Sequence, residues 1–315
     1  MQLCGWLAWQ MDYLVFLQNF RDVSHHIFDH FFLNVTMFGE ELIPILIICL
    51  LYWVINKKIG VYILWSYLFG YVVNTLAKVT ACIYRPWILD SRIHPLPQAI
   101  PAATGYSFPS GHTAGAVTTW GGLAYAYWNN KLLRYLSIFI ILAVMFSRNY
   151  LGVHTPQDVI VSFLISIVVL YLAKVAIDYS KSGKNHDLYI VGIVFFVTIA
   201  TLIYLNIKYY PVHYLFGKIL YSPDYIKINS ISKSGFLFGS FIGWFIENRY
   251  IDFNPTVGTI PKKVIRYALG LLGLALLLWG LLPMMHHIYS RFIIFFISGA
   301  FVTCIYPYMV KKLNI

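Results

Sequence analysis

Apolar stretches of membrane-spanning length recur along this chain, and no other feature limits its fold so sharply. A helix needs about 20 mostly apolar residues to cross the hydrocarbon of a bilayer. Runs of that kind fall at 40–56, 59–78, 111–129, 133–149, 156–177, 187–206, 233–248, 264–284 and 291–309. The seventh is the shortest and carries Gly235, Gly239 and Gly243. No ten-residue alternating runs with tight turns suggest a barrel. Only 11% of the 315 residues are charged and 59% are hydrophobic, against about 25% and 45–50% in ordinary globular chains. A soluble domain so poor in charge would have a sticky, apolar surface. Composition therefore excludes a soluble enzyme, a disordered protein and a disulfide-stapled secreted domain. The expected fold class is all-α: a polytopic transmembrane helical bundle with a six-helix core and about three extra C-terminal spans, about nine in total.

The first 35 residues do not read as a cleavable signal peptide, for want of a basic start, an apolar block and a small-residue cleavage site. Instead Trp6, Trp9, Tyr13, Phe16, Phe20, Phe31 and Phe32 are interspersed with Asp12, Arg21, Asp22, His25, His26 and Asp29. Either amphipathic helices lying in the membrane interface or a packed helix capping the bundle fits that pattern. Three regions are expected: 1–39 as N-terminal helices, 40–206 as the six-span catalytic core, and 207–315 as an extramembrane loop with three further spans. Placing the N-terminus outside and the C-terminus in the cytoplasm puts the larger share of Lys and Arg inside, including Lys57, Lys58, Lys262, Lys263, Lys311 and Lys312. The formal charge of +11 then reflects loops facing anionic lipid, or a site for an anionic substrate. The basic residues form no binding stripe and no nucleic-acid motif is present. Cys4, Cys49, Cys82 and Cys304 are scattered, without a CxxC, so neither a metal site nor a disulfide framework is indicated.

Charges at membrane depth or at span ends are costly and mark functional candidates. Three places stand out, all on the same expected side. Lys78 and Arg85 are seven residues apart and share a face if the helix continues, with Pro86 helping to stop it; the plainer reading is two snorkelling cations. Pro109-Ser110-Gly111-His112-Thr113 opens the third span. Ser110 as N-cap and Gly111 leave backbone N–H groups free for an anion, and His112 could donate a proton to a phosphate ester. Ser147-Arg148 ends the fourth span, and His154 precedes the fifth, with Asp158 one turn in. A carboxylate there can fix the tautomer of His154 and raise the nucleophilicity of its other nitrogen. Thr155-Pro156-Gln157-Asp158 is also a capping box, which would make Asp158 structural. Three cations around a helix N-terminus describe a site for a phosphate dianion. No HExxH, paired carboxylates or His/Cys cluster suggests a metal.

Lys78-x6-Arg85-Pro86, Pro109-Ser110-Gly111-His112 and Ser147-Arg148-x5-His154-x3-Asp158 resemble the three-part signature of the type 2 phosphatidic acid phosphatase superfamily, with every fixed position matched in order. The resemblance implies a metal-independent integral-membrane phosphatase, without cofactor, acting on lipid phosphates or diphosphates. It implies that His154 attacks phosphorus to form a phosphohistidine, that Asp158 orients it and that His112 protonates the leaving group. Lys78, Arg85, Arg148, Ser110 and the Gly111 N–H would hold the phosphate oxygens. The expected partners are a phosphorylated lipid and membrane lipids, with the extra spans serving as scaffold or as a homodimer surface. The expected location is the plasma membrane, with the site at the outer face. A nine-span layout also resembles glucose-6-phosphatases, so a sugar-phosphate phosphatase is an alternative. A lipid-linked phosphotransferase is another, and a transporter or scaffold is a third.

Overall fold

The structure is a computed structural model. It describes residues 5–211, 214–215, 218–219, 223–281 and 287–314. Cys4 and part of the 207–233 stretch lie outside them. Apart from one hairpin, β1 (Tyr214–Leu215) and β2 (Lys218–Ile219), the regular elements among the described residues are helices. Helices run in the order α1 (Gly5–Val23), α2 (Asp29–Thr36), α3 (Leu42–Leu50), α4 (Lys57–Ala81), α5 (Pro86–Leu89), α6 (Gly111–Ala116), α7 (Gly122–Ala126), α8 (Lys131–Tyr150), α9 (Pro156–Lys181), α10 (His186–Ile207), α11 (Pro223–Ile246), α12 (Ile260–Ala275), α13 (Ile288–Ala300) and α14 (Tyr306–Leu313).

The protein is a multi-pass membrane helix protein. Among the described residues, six helical segments are long and apolar enough to cross a bilayer, or seven if the bent pair Asp29–Gly39 and Leu42–Ile55 forms one span. The expected count of about nine is not reached, for physical reasons. The third expected span is α6, a π-type turn over Val117–Gly121 and α7, together shorter than a full crossing. The seventh covers only the apolar second half of α11, whose first half is rich in Ser and Lys, and runs on into the π-type turn Glu247–Ile251.

The chain divides into two compact units. The first comprises 1–45 and 66–171, the second 46–65 and 172–315. In the first, α1 buries Gln10, Met11, Leu14, Leu17 and Arg21 and leaves Phe16 and Phe20 exposed. Met11 and Leu14 pack with Ile93, against Trp87 and Leu89, and Arg21 donates to the His94 carbonyl at 2.7 Å. The N-terminal helix is therefore packed on the 87–96 loop. Leu96, Ala99 and Ala103 extend this core to Tyr150, Leu151 and Val153, directly behind the segment that carries His154.

The second unit is tied by aromatic stacking and by glycines that let helices meet. Trp65 lies 4.6 Å from Phe241 and 4.7 Å from Trp244. A Cβ on Gly239 would stand 1.9 Å from the Phe296 carbonyl oxygen, so α11 and α13 touch backbone to backbone and no other residue fits there. Its polar groups are closed on one another. Glu247, fully buried, accepts from Lys57 at 2.9 Å, from the Phe253 N–H at 2.7 Å and from the Tyr52 hydroxyl at 3.4 Å. Arg249 makes a two-pronged bond to Asp187 at 2.6 and 2.7 Å.

Candidate active site

All eight residues singled out from the sequence lie in the first unit, on four chain segments. The first segment holds a difference from expectation. Helix α4 ends at Ala81, Cys82 takes a positive φ of 48°, and Arg85 has extended backbone. Lys78 and Arg85 thus do not share a helix face, and Pro86 opens α5 rather than stopping α4. The loop 104–109 brings the two cations together instead. Lys78 Nζ donates to the carbonyls of Tyr106 at 2.8 Å, Ser107 at 3.2 Å and Pro109 at 2.8 Å. Arg85 donates through Nε to Gly105 at 3.0 Å and through Nη2 to Thr104 at 2.9 Å. The ammonium has three protons, so in this structure Lys78 clamps the loop that delivers Ser110.

Ser110 is the N-cap of α6. Its Oγ accepts from the Thr113 N–H at 3.3 Å and the Thr113 hydroxyl at 3.0 Å, and its carbonyl is held by the Ser162 hydroxyl at 2.6 Å. Beside it, Gly111 is exposed, and a Cβ there would meet nothing within 4 Å. The space over the start of α6 is open. His112 Nε2 is buried without a hydrogen-bond partner.

Arg148, near the end of α8, is 0% exposed. Its Nη1 donates to the Thr36 hydroxyl oxygen at 2.7 Å, while Nε and Nη2 are buried without partners. Those two nitrogens form one edge of the planar guanidinium, the edge that meets two oxygens of a phosphate side by side. Leaving charged donors unpaired in the interior costs about 1–3 kcal/mol each, so this edge is built for an absent acceptor.

After α8 the chain turns at Gly152, whose φ of +73° suits glycine, and Asn149 Nδ2 holds the His154 carbonyl at 2.8 Å. His154 is 1% exposed. Arg85 Nη1 lies 2.9 Å from His154 Nε2. A guanidinium can only donate, so Nε2 is the unprotonated nitrogen and the ring proton sits on Nδ1. Nδ1 faces Asp158 Oδ2 at 3.3 Å. The tautomer with an unprotonated Nε2 is thereby fixed. Burial, then the charges of Arg85, Arg148 and Lys78, push the imidazole well below its ordinary range, which keeps it neutral at physiological pH.

Asp158 has both roles that the sequence left open. It closes a capping box with Thr155: its Oδ2 accepts the Thr155 N–H at 2.9 Å, and its own N–H donates to Thr155 Oγ1 at 3.3 Å. The same Oδ2 faces His154. It also accepts the Ser107 hydroxyl at 2.5 Å. Ser107, Asn149 and Thr36 carried no signal in the sequence, because single hydroxyl and amide residues fall in no charge or spacing pattern. Among the described residues no group of three or more His, Cys, Asp or Glu could hold a metal ion.

This geometry coincides with family resemblance. The PAP2 superfamily profile matches residues 59–182, and the profile described as "PAP2 superfamily phosphatase, transmembrane extension" matches 231–315. The chain is 30% identical over 168 residues to the undecaprenyl-diphosphatase BcrC of Bacillus subtilis, covering 51% of this chain and 82% of that protein. The chain belongs to the PAP2 superfamily. It is also 29% identical over 118 residues to an undecaprenyl-diphosphatase of Sulfolobus acidocaldarius. That match covers 38% of this chain and spans only about half of that relative, 55% of its length. No solved structure matches.

Proposed function

We propose that this PAP2-superfamily chain is a metal-independent phosphatase that hydrolyses a lipid diphosphate or phosphate through a phosphohistidine on His154. The observation that carries the reading is the unpaired Nε/Nη2 edge of Arg148, buried in the same unit as a neutral histidine whose Nε2 lone pair is defined. That both relatives are undecaprenyl-diphosphatases, together with the membrane helices, favours an isoprenoid-type lipid diphosphate.

In the first step His154 Nε2 bonds to the terminal phosphorus and the bond from phosphorus to the leaving oxygen breaks. His112, as the imidazolium that a bound phosphate dianion favours, gives its Nε2 proton to that oxygen and is left neutral. Arg148 and Arg85 neutralise the phosphoryl oxygens, with the Ser110 hydroxyl and Gly111 N–H completing the cradle. Asp158, steadied by Ser107, stabilises the charged ring. In the second step water attacks phosphorus, His112 takes its proton and the N–P bond breaks. Lys78 acts through the loop it clamps.

The finer layout belongs to this reading too. α6–α7 and α11 lie where the third and seventh spans are expected, which supports nine membrane segments, with 1–39 as N-terminal helices, 40–206 as catalytic core and 207–315 as extension. The Lys and Arg bias supports an N-outside arrangement in the plasma membrane with the site at the outer face. Cysteine labelling at Asp90 and Lys262 tests it: reagent reaching both from one side overturns it.

The deciding experiment is phosphate release by the full chain in detergent with EDTA, comparing lipid diphosphates, lipid monophosphates and glucose 6-phosphate. We expect turnover with EDTA present and preference for the lipid diphosphate. Activity that vanishes with EDTA and returns with Mg²⁺ overturns the metal-free mechanism, and preference for glucose 6-phosphate overturns the substrate class.

A further inference from the structure

The segment 29–39 lies before both regions matched by the family profiles, and nothing in its sequence carries chemistry. The structure nevertheless ties it to two parts of the phosphate site. Helix α2 turns Asp29, Phe32, Leu33 and Thr36 to one side, at spacings of three, four and seven residues that share a helix face. All four meet α8 or the loop that follows it. Asp29 Oδ1 accepts the Tyr150 hydroxyl at 2.8 Å. The Phe32 ring lies 4.4 Å from that of Tyr150 and 5.3 Å from that of Phe146. Leu33 packs against the cluster of Tyr150, Leu151 and Val153. Thr36, 5% exposed, offers its hydroxyl oxygen to Arg148 Nη1 at 2.7 Å.

The next turn, Met37–Gly39, reaches the helix that carries His112. The Trp120 indole donates to the Phe38 carbonyl at 3.0 Å. A Cβ on Gly39 would stand 2.2 Å from the His112 carbonyl oxygen, and one on Gly115 would stand 2.4 Å from the Gly39 carbonyl oxygen. The two backbones are in contact, and any side chain at Gly39 would force α6 away.

A guanidinium is a rigid plane. Once one Nη is anchored, the direction of the opposite edge is set. Arg148 has just one bonded nitrogen, and Thr36 is what it is bonded to; its other two are the unpaired donors. Without the Thr36 oxygen, a buried cation with no partner would turn toward any carbonyl or carboxylate in reach, and the phosphate-facing edge would be lost.

We propose that Thr36 is a positioning residue of the phosphate site, holding the Arg148 fork on the bound phosphoryl group, and that α2 with its following turn is thereby part of the site. This rests on the phosphatase reading above for its ligand.

The test uses the full-length chain in detergent with Thr36→Val, which keeps the shape but removes the acceptor, and Thr36→Ser, which keeps the oxygen. Three quantities are read: kcat and KM on a lipid diphosphate, affinity for inorganic phosphate by calorimetry, and the thermal unfolding midpoint. Loss of a hydrogen bond to a charged group predicts for Thr36→Val a rise of about tenfold in KM and in the phosphate dissociation constant. The change in kcat should be smaller, the midpoint should fall modestly because Arg148 Nη1 is left without its acceptor, and Thr36→Ser should restore both constants and the midpoint. The proposal is overturned if Thr36→Val binds phosphate like the parent. It is equally overturned if Thr36→Ser is as impaired as Thr36→Val, or if Thr36→Val lowers only the midpoint. Should the parent bind phosphate yet release none from any lipid, the phosphatase reading falls, while the calorimetric comparison still decides the role of Thr36.

Discussion

Two arginines are buried to the same degree in this protein and used in opposite ways. Arg266, 2% exposed in the second unit, donates through Nη1 to the carbonyls of Trp53 at 3.1 Å and Pro255 at 2.9 Å, and through Nη2 to Val257 at 2.7 Å. Arg148, in the first unit, has one bond and an unpaired edge. The rest of each unit follows its arginine. Around Arg266, Glu247 and Lys57 answer one another, as do Asp187 and Arg249, so charge there is consumed in holding helix ends. Around Arg148, His112 also lacks a partner and the space over Gly111 is open. The bonds of Arg266 hold three carbonyls in place, whereas the two-nitrogen edge of Arg148, unsatisfied at a cost of about 1–3 kcal/mol per donor, fits the two oxygens of an anion.

The largest effect expected from this contrast is at the nucleophile. His154→Ala should lower phosphate release by about 10⁴-fold or more on every substrate without changing the unfolding midpoint; near-normal turnover, or a trapped phosphoenzyme mapping to His112, breaks the assignment. The arginines come next, as a pair. Arg148→Met should reduce kcat/KM by about 10²–10³-fold and leave the midpoint unchanged or higher, since it removes unpaired buried donors. Arg266→Met should leave turnover per folded molecule intact and cost about 2–4 kcal/mol of stability, because three carbonyls lose their donor. The reverse pattern in denaturation and kinetic assays would abolish the distinction between the units.

His112→Ala sharpens the picture within the site. It should cost about 10²-fold on a lipid alkyl phosphate but only a few-fold on p-nitrophenyl phosphate, whose leaving group needs little protonation. Equal losses on both esters would remove His112 from the acid role.

The smallest effect is a displacement of the pH profile. Burial and the Arg85 charge depress the His154 imidazole. Arg85→Gln removes the largest of the charges that depress it, so the ring should hold a proton to higher pH. The neutral, nucleophilic fraction then falls earlier on acidification, and the acid limb of kcat/KM should move to higher pH. A limb that stays put, or moves lower, means that Arg85 does not tune His154.

Most of the site was legible because its chemistry needs charged and imidazole side chains, which an apolar chain displays against a blank background. Lys78, Arg85, His112, Arg148, His154 and Asp158 announce themselves in that way. What the sequence hid was how they meet. Nothing in Lys78-x6-Arg85 foretold that α4 would stop at Ala81, since the break lies in the positive φ of Cys82, a residue with no reputation for such backbone. Thr36 and Ser107 were invisible for a different reason: a lone hydroxyl acquires meaning only from the atom opposite it. The helical segments were read from hydrophobicity alone, which does not register the shortness of α6–α7 or the polar residues that precede the apolar half of α11.

The contact between Arg85 Nη1 and His154 Nε2 has a consequence for what this protein will ignore. In the proposed mechanism, the lone pair that must reach phosphorus is, at rest, held by a guanidinium. Only a molecule bringing negative charge of its own can offer that guanidinium a better partner and draw it aside. Electrophilicity alone is then not enough to gain entry. A neutral phosphotriester, more reactive at phosphorus than any phosphate monoester, carries nothing with which to release the catch. The substrate's charge thus serves as the key to the nucleophile as well as the handle by which it is held, and selectivity against uncharged electrophiles is present before any part of the lipid tail is recognised.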